Sequence, residues 1–333
     1  MKVCFAGNLS STFVKKDYEI LKKHFRVDAL KVPHKKFPSI EWLKFLIEVV
    51  KKAKRCDIAF SWFAGLYSAF IVFIFKLFRK KSIVVVGGWD AAYVPEINYG
   101  AFTNIKEKIP AKYVLENADL LLPVSEFTKK EVLEKVNPKR IKVVYNGVDV
   151  ERFKMEGNKE DDLIITVGGV SWSNLKRKGI KIFVNTARSF PSIRFVVIGK
   201  FIDTSIEHLK KNASKNVEFT GFVSDDELVR WYQRAKVICQ LSYYEAFGLA
   251  PAEGMACECI PVVTKDKTGM PEFVDNTGFY VPYGDEKATA EAIKKALDAP
   301  EEMRKKARER IKNLFSVEKR ERKLVEAIKS MVG

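Results

Sequence analysis

The stretch Glu245-Ala-Phe-Gly-Leu-Ala-Pro-Ala-Glu253 sets two carboxylates around a glycine and a proline, between two apolar strand-like runs. Gly248 permits a tight backbone turn that a Cβ would forbid. Pro251 suits the first position of a helix, where its missing N–H costs nothing. The amides near Leu249 and Ala250 then point out of a helix N-terminus, an arrangement that attracts phosphate. Glu245 falls in the loop and Glu253 one turn into the helix. Carboxylates flanking an anion site suit a sugar carried on a diphosphate. The same nine residues also read as a plain strand–turn–helix connection with solvated acids.

Further segments follow in a fixed order around this unit. Upstream lie Ala118-Asp-Leu-Leu-Leu-Pro-Val-Ser-Glu-Phe-Thr-Lys-Lys-Glu131 and Val143-Val-Tyr-Asn-Gly-Val-Asp149 with Phe153. Ile165-Thr-Val-Gly-Gly169, Lys178-Gly179, Phe195-Val-Val-Ile-Gly199 and Val217-Glu-Phe-Thr-Gly-Phe222 come next. Gly269-Met-Pro-Glu-Phe-Val274 and Thr277-Gly-Phe-Tyr-Val-Pro282 close the series. In this order, and with the E-x7-E spacing of Glu245 and Glu253, the chain resembles the retaining family 4 glycosyltransferases. The match is dense from about Ala118 to Pro282 and thin before it.

The resemblance implies that a sugar leaves a nucleoside diphosphate, and that positive groups stabilise the departing charge. The family's usual Arg after the first Gly of domain two is absent, because Gly168 is followed by Gly169. The loop Val170-Ser-Trp-Ser-Asn-Leu-Lys-Arg-Lys-Gly179 is basic instead. Lys178 is the implied diphosphate clamp, and Lys176 or Arg177 stands in for the missing Arg. Glu253 would accept hydrogen bonds from ribose hydroxyls, and Glu245 would contact the donor sugar. Gly169, Gly199, Lys200 and Val223 approach the nucleotide from strand ends, with Phe247, Gly248, Leu249 and Ala250 from the glutamate segment. In the first half Gly7 is a diphosphate contact, and Asp90 is placed to orient a hydroxyl where relatives often carry a His. The catalytic set is therefore Glu245, Lys178 and Asp90. Retention of anomeric configuration, with no metal and no cofactor beyond the nucleotide-sugar substrate, is what the resemblance implies.

These residues need elements to hold them. Apolar β-branched runs alternate with helix-period segments, the pattern of a doubly wound parallel sheet. Strand candidates in the first half are 2–6, 25–32, 56–63, 82–87, 119–124 and 142–145. Those in the second are 163–167, 195–199, 217–220, 237–241, 261–264 and 279–281. The charged stretch 149–162 reads as a linker, and the length of 333 residues favours two domains. The expected fold is α/β: two facing Rossmann-like domains of the GT-B type with a cleft between them. Residues 1–150 form the acceptor domain and 151–313 the nucleotide-sugar domain, with a helix at about 314–333 packing back on the first. The uncharged window from Ile58 to Phe75 reads as a buried strand and helix divided by Gly65 rather than as a membrane span.

Net charge is +17 and uneven: residues 1–150 hold 27 basic and 15 acidic side chains. An anionic membrane surface and a Lys-rich thermophilic exterior both fit that excess. No nucleic-acid recognition module accompanies it. Cys4, Cys56, Cys239, Cys257 and Cys259 sit in apolar contexts and suit reduced thiols, hence a cytoplasmic protein, peripheral on the inner membrane face if its basic half binds lipid. The expected partners are a nucleotide-sugar donor and a sugar or lipid-linked acceptor. Two other readings stay open: a non-catalytic basic membrane- or nucleic-acid-associating protein on the same scaffold, and a nucleotide-sugar epimerase.

Overall fold

The computed structural model describes residues 1–35 and 37–331. The chain divides into two compact units, unit 1 (Met1–Asn146 with Glu318–Gly333) and unit 2 (Gly147–Val317).

In unit 1, β1 (Lys2–Ala6), β2 (Arg26–Leu30), β3 (Ile58–Trp62), β4 (Lys81–Val86) and β5 (Leu120–Pro123) form a parallel sheet ordered β2-β1-β3-β4-β5. Helices α1 (Thr12–His24), α2 (Ile40–Arg55), α3 (Leu66–Leu77) and α4 (Ile105–Asn117) connect the strands, and α5 (Glu126–Leu133) follows β5. β3 is buried at every position, as a parallel strand covered on both faces requires. Cys4, Ala59, Val84 and Leu121 pack on one side against Phe45 of α2, Val72 and Phe75 of α3 and Val114 of α4. On the other side the Phe5 ring stacks on Phe60 at 5.7 Å and meets Tyr18 of α1 at 5.3 Å. The window from Ile58 to Phe75 resolves into β3 and most of α3. Among the described residues no helix is long and apolar enough to cross a membrane.

The expected strand 142–145 does not form. Lys142 and Val144 donate to the carbonyls of Leu121 and Pro123, both at 3.0 Å, so the segment runs beside β5. Pro123 has no N–H to return, and the ladder lapses there.

Unit 2 begins its sheet with β6 (Glu160–Val167), followed by α6 (Trp172–Arg177), α7 (Ile180–Thr186), β7 (Arg194–Ile198) and α8 (Ser205–Asn212). Then come β8 (Val217–Gly221), α9 (Asp225–Arg234), β9 (Ala235–Gln240), α10 (Leu249–Ala256), β10 (Ile260–Thr264) and α11 (Pro271–Val274). The unit closes with β11 (Phe279–Val281), α12 (Glu286–Leu297) and α13 (Glu301–Leu314). Its parallel order β11-β10-β9-β6-β7-β8 reverses direction between β6 and β9, the point where such sheets bind nucleotides beyond their carboxyl ends. Ile164, Phe195, Val197, Val237 and Val262 form the core with Phe183 of α7 and Ile293 of α12.

The charged stretch 149–162 is not a free linker. Val150 and Phe153 are buried, and Arg308 of α13 donates to their carbonyls at 3.3 and 3.0 Å. Glu160 already opens β6. Val148 donates to Phe315 at 2.8 Å and receives Val317 at 2.9 Å, so both ends of this unit are tied together. The boundaries accordingly fall after Asn146 and after Val317, rather than at 150 and 313.

From there α14 (Val317–Lys329) carries the chain back to unit 1. Arg320 grips Asp17 of α1 through Nε and Nη2 at 2.6 and 2.7 Å, and Nη1 donates to the carbonyls of Val144 and Tyr145. The second Asp17 oxygen also accepts the Trp62 indole N–H at 3.0 Å. Both charged side chains are almost wholly buried, at 2% and 0% exposure. All five cysteines are free and buried.

Candidate active site

Beyond the end of β6 the chain turns through Gly168 and Gly169. Gly168 donates to Ile198 at 2.9 Å, and Gly199 crosses so closely that a Cβ there would lie 2.3 Å from the Gly168 carbonyl oxygen. A Cβ on Gly168 would fall 2.9 Å from Cδ of Lys178. The glycines thus make space for two backbones and one lysine stem.

Helix α6 aims that lysine. Ser171 caps it, accepting from Asn174 at 3.3 Å, and Asn174 in turn donates to the Gly169 carbonyl at 2.8 Å. Arg177 donates to the same Asn174 side chain at 2.8 Å, which draws its guanidinium toward the Gly169 loop. Lys178 ends the helix, and Gly179 turns the chain at φ +66°. No other residue fits at Gly179, since a Cβ would sit 1.9 Å from the Leu241 carbonyl oxygen. The outcome is an ion pair of 3.2 Å between Lys178 Nζ and Glu245 Oε2, with side chains only 22% and 16% exposed.

Glu245 is held through its backbone. It donates to the Lys267 carbonyl at 3.4 Å and accepts from Gly269 at 2.8 Å, which pins it beside the loop after β10. Gly248 takes φ +97° and α10 starts at Leu249. Pro251 is therefore the third helical residue, not the first as the sequence suggests. That position costs little, because amides throughout the first turn lack intrahelical partners. Leu249 and Ala250 are half-buried at this N-terminus. Further into α10, Glu253 Oε2 accepts from the Tyr232 hydroxyl at 3.1 Å. Burial and the neighbouring Glu253 charge push that phenol well above its usual value, so it remains a donor.

Lys178, Glu245, Arg177, Gly169 and Gly199 thus converge at the β6/β9 switch point, with the α10 N-terminus next to Glu245. Lys176 and Lys200 are exposed, and the Lys176 carbonyl accepts from Tyr283 at 2.9 Å. Val223 is half-buried in the loop before α9. Phe247 turns its ring into the core, so a donor could meet only its backbone. It is 2% exposed, and its ring meets Phe273 at 5.2 Å and Phe315 at 6.1 Å. Asn174 and Tyr232 escape sequence reading, because each acts through a contact remote in the chain or through a loop geometry that no motif encodes.

Gly7 and Asp90 belong to unit 1. A Cβ on Gly7 would strike Val14 of α1 at 2.7 Å, so helix–strand packing accounts for that glycine. Asp90 is corrected from a hydroxyl-orienting residue to a backbone clamp. It is 0% exposed and accepts from the amides of Ala64 (2.8 Å), Gly87 (3.3 Å) and Gly88 (2.8 Å). Desolvation raises its pKa to about 6, against the pull of those amides.

Comparison with known sequences gives two adjoining matches. The sequence profile of "Glycosyl transferases group 1" matches residues 148–314, and that of "Glycosyltransferase Family 4" matches residues 13–152. The chain is similar to an uncharacterized glycosyltransferase of Methanocaldococcus jannaschii, 25% identical over 248 residues, covering 73% of this chain and 66% of the relative. It is also similar to the N-acetylgalactosamine-N,N'-diacetylbacillosaminyl-diphospho-undecaprenol 4-alpha-N-acetylgalactosaminyltransferase of Campylobacter jejuni. That match is 23% identical over 243 residues, covering 69% of this chain and 64% of the relative. The chain thus spans just under two thirds of the length of these relatives. Among solved structures, Anabaena HepE in complex with UDP and glucose superposes with a TM-score of 0.78 at 16% identity, covering 99% of this chain and 100% of the other. Sucrose-phosphate synthase from Thermosynechococcus elongatus gives 0.78 at 17% identity, covering 99% and 98%.

Proposed function

The chain belongs to the glycosyl transferases group 1 family and has the two-domain GT-B fold, and from that premise we propose that it transfers a sugar from a nucleoside-diphosphate sugar to an acceptor. The observation that carries this reading is the half-buried Lys178–Glu245 pair beside the glycine turns and the opening amides of α10. Lys178 is a compact charge on a flexible stem, suited to follow a phosphate oxygen as charge develops there. The helix amides hold the diphosphate from the other side. Glu253, fixed by Tyr232, bonds the ribose hydroxyls, while Glu245 bonds the donor sugar and keeps Lys178 aimed.

The bond from the anomeric carbon to the phosphate oxygen breaks, and its electron pair stays on the diphosphate. The acceptor hydroxyl bonds the same carbon from the same face, and its proton passes to the departing phosphate oxygen. The configuration is retained with no enzymic nucleophile, and Lys178, Arg177 and the amides supply the positive charge without a metal. A uridine diphosphate sugar is the first donor to try, because Anabaena HepE was crystallised with UDP and glucose. The five buried free thiols support a cytoplasmic setting.

A thermal-shift screen of nucleoside diphosphates and their sugars, with and without Mg²⁺, tests this. A ligand that binds only the folded chain raises its Tm by an amount growing with the logarithm of concentration over Kd. We expect one base to raise Tm without metal, and Lys178→Ala to lose the shift. No response to any nucleotide would remove the donor site.

A further inference from the structure

Unit 1 contains a cavity of about 400 Å³ lined by Trp42, Phe63, Gly65, Leu66, Tyr67, Trp89 and Glu107. That volume falls within the usual range for ligand pockets. Its floor is the loop after β3 together with the loop after β4, the carboxyl ends where open parallel sheets take their ligands. The donor reading leaves this cavity without a role.

The walls are fixed in advance. Phe63 holds a left-handed φ of +64°, a costly conformation for an aromatic residue. Its ring lies where a Cβ on Gly87 would come within 2.3 Å. Asp90 binds Ala64 of one loop and Gly87 and Gly88 of the other, so one buried carboxylate sets both walls. The Tyr67 hydroxyl is turned to the Trp62 carbonyl. Among the described residues Glu107 is then the one charged group in a lining of aromatic and aliphatic carbon. A sugar ring needs a dense set of hydrogen-bond partners, and this cavity does not offer one.

Its surroundings point the same way. Trp42 comes from α2 and Glu107 from α4, and both helices expose isoleucine and lysine together near those positions. Ile40, Leu43 and Ile47 are 64%, 54% and 48% exposed on α2, with Lys44 between them. Ile105 and Ile109, each 64% exposed, flank the exposed Lys106 and Lys108 on α4. Phe37, itself half-exposed, joins the cavity's Trp42 to Phe70 through ring contacts of 5.5 and 6.0 Å. Residues 31–44 carry Lys31, Lys35, Lys36 and Lys44 against Glu41 alone, whereas Lys51 and Lys52 at the far end of α2 are paired with Glu48 and Asp28. Exposed apolar side chains interleaved with lysine complement a hydrocarbon chain that ends in phosphate.

We infer that this cavity binds the first segment of the hydrocarbon chain of a phosphate-linked lipid acceptor, with the phosphate outside among the lysines of α2 and α4. The inference rests on the transferase reading and names the acceptor class for it: a lipid phosphate rather than a free sugar.

Gly65 provides the test. A Cβ there meets nothing within 4 Å, and its backbone is extended at φ −146°, so larger residues enter open space beside the cavity. Two of the five tryptophans, Trp42 and Trp89, line the cavity, so a change in intrinsic fluorescence reports occupancy. Full-length protein is titrated with farnesyl phosphate, dodecyl phosphate and inorganic phosphate, and separately with phosphatidylglycerol vesicles. We expect saturable binding of both chain-bearing phosphates, no fluorescence response to inorganic phosphate, and at least tenfold weaker binding in Gly65→Phe. Gly65→Leu should fall between, and both variants should keep the wild-type Tm. Equal binding by Gly65→Phe and wild type would overturn the inference. So would vesicle binding without any response to the soluble chain phosphates, which would assign the patch to bulk lipid instead. The nucleotide-induced Tm shift, read on the same samples, reports the donor site separately, so failure of one reading does not masquerade as failure of the other.

Discussion

Beyond β6 in unit 2 the chain places Gly168, Gly169, Arg177 and Lys178, with Glu245 arriving after β9. Beyond β3 in unit 1 it places Phe63, Gly65, Leu66 and Tyr67, with Trp89 arriving after β4. Both sets occupy the carboxyl edge of a parallel sheet whose strands are buried in the same way. In unit 2 the charges are half-buried and the glycines let backbones cross, so charge can be presented to a ligand. In unit 1 the deeply buried carboxylate of Asp90 spends its hydrogen bonds on backbone amides and holds an apolar lining in place. One architecture thus supports two chemistries, because the sheet fixes where the loops emerge and the loops decide what they offer.

That contrast can be broken at either end. The largest effect is expected from Arg320→Ala, which leaves Asp17 buried without its counter-ion and should cost unit 1 about 3–5 kcal/mol in urea unfolding. If the units hold their chemistries separately, the nucleotide-induced shift should survive in the fraction still folded. Lys178→Ala should lower the transfer rate about 10²–10³-fold while moving Tm by little, the loss typical of removing one group that stabilises developing negative charge. A variant transferring sugar at the wild-type rate would dissolve the polar half of the comparison.

Asp90→Asn sharpens the apolar half through pH. The folded carboxyl titrates near 6 against an ordinary 3.8, so between those values the folded chain holds a proton that the unfolded chain has released. Its contribution is complete below about pH 4 and is lost as pH rises through 6, amounting to at most about 3 kcal/mol. Measured against Asp90→Asn, wild-type stability should fall across that window, and parallel pH profiles would refute the assignment. The smallest expected effect is Tyr232→Phe. Removing one hydroxyl from Glu253 should cost about 1 kcal/mol of stability, with a modest loss of nucleotide affinity by calorimetry.

Much of this arrangement is legible in the sequence, and the exceptions have physical causes. β1 and β11 occupy the residues that the sequence assigns them, because each is a short, largely apolar run stopped by a Gly or Pro, too short for a helix. The expected strand 142–145 fails on one proline in its neighbour. The helix after Gly248 starts two residues before Pro251, since a left-handed glycine alone suffices to begin it. Lys178 and Glu245 are each named by the family resemblance, whereas their pairing at 3.2 Å is not. Nor is the burial of Phe247 and Asp90 foreseen there, because no spacing distinguishes a side chain facing a ligand from one facing the core. Their burial depends on Phe273, Phe315 and Ala64, residues remote in the chain or across a turn. The cavity of unit 1 is likewise invisible: its lining comes from α2, the loop after β3, the start of α3, the loop after β4 and α4, and no motif links them.

The Asp17–Arg320 pair joins residues 303 apart, and that separation governs the order of events at the ribosome. Domains usually mature from the N-terminus as they emerge. Here the first 146 residues present a carboxylate to their own interior long before its guanidinium partner exists. Unit 2 can close on itself while unit 1 waits, so a nascent chain stalled anywhere before residue 320 should expose an unfinished N-terminal sheet to chaperones.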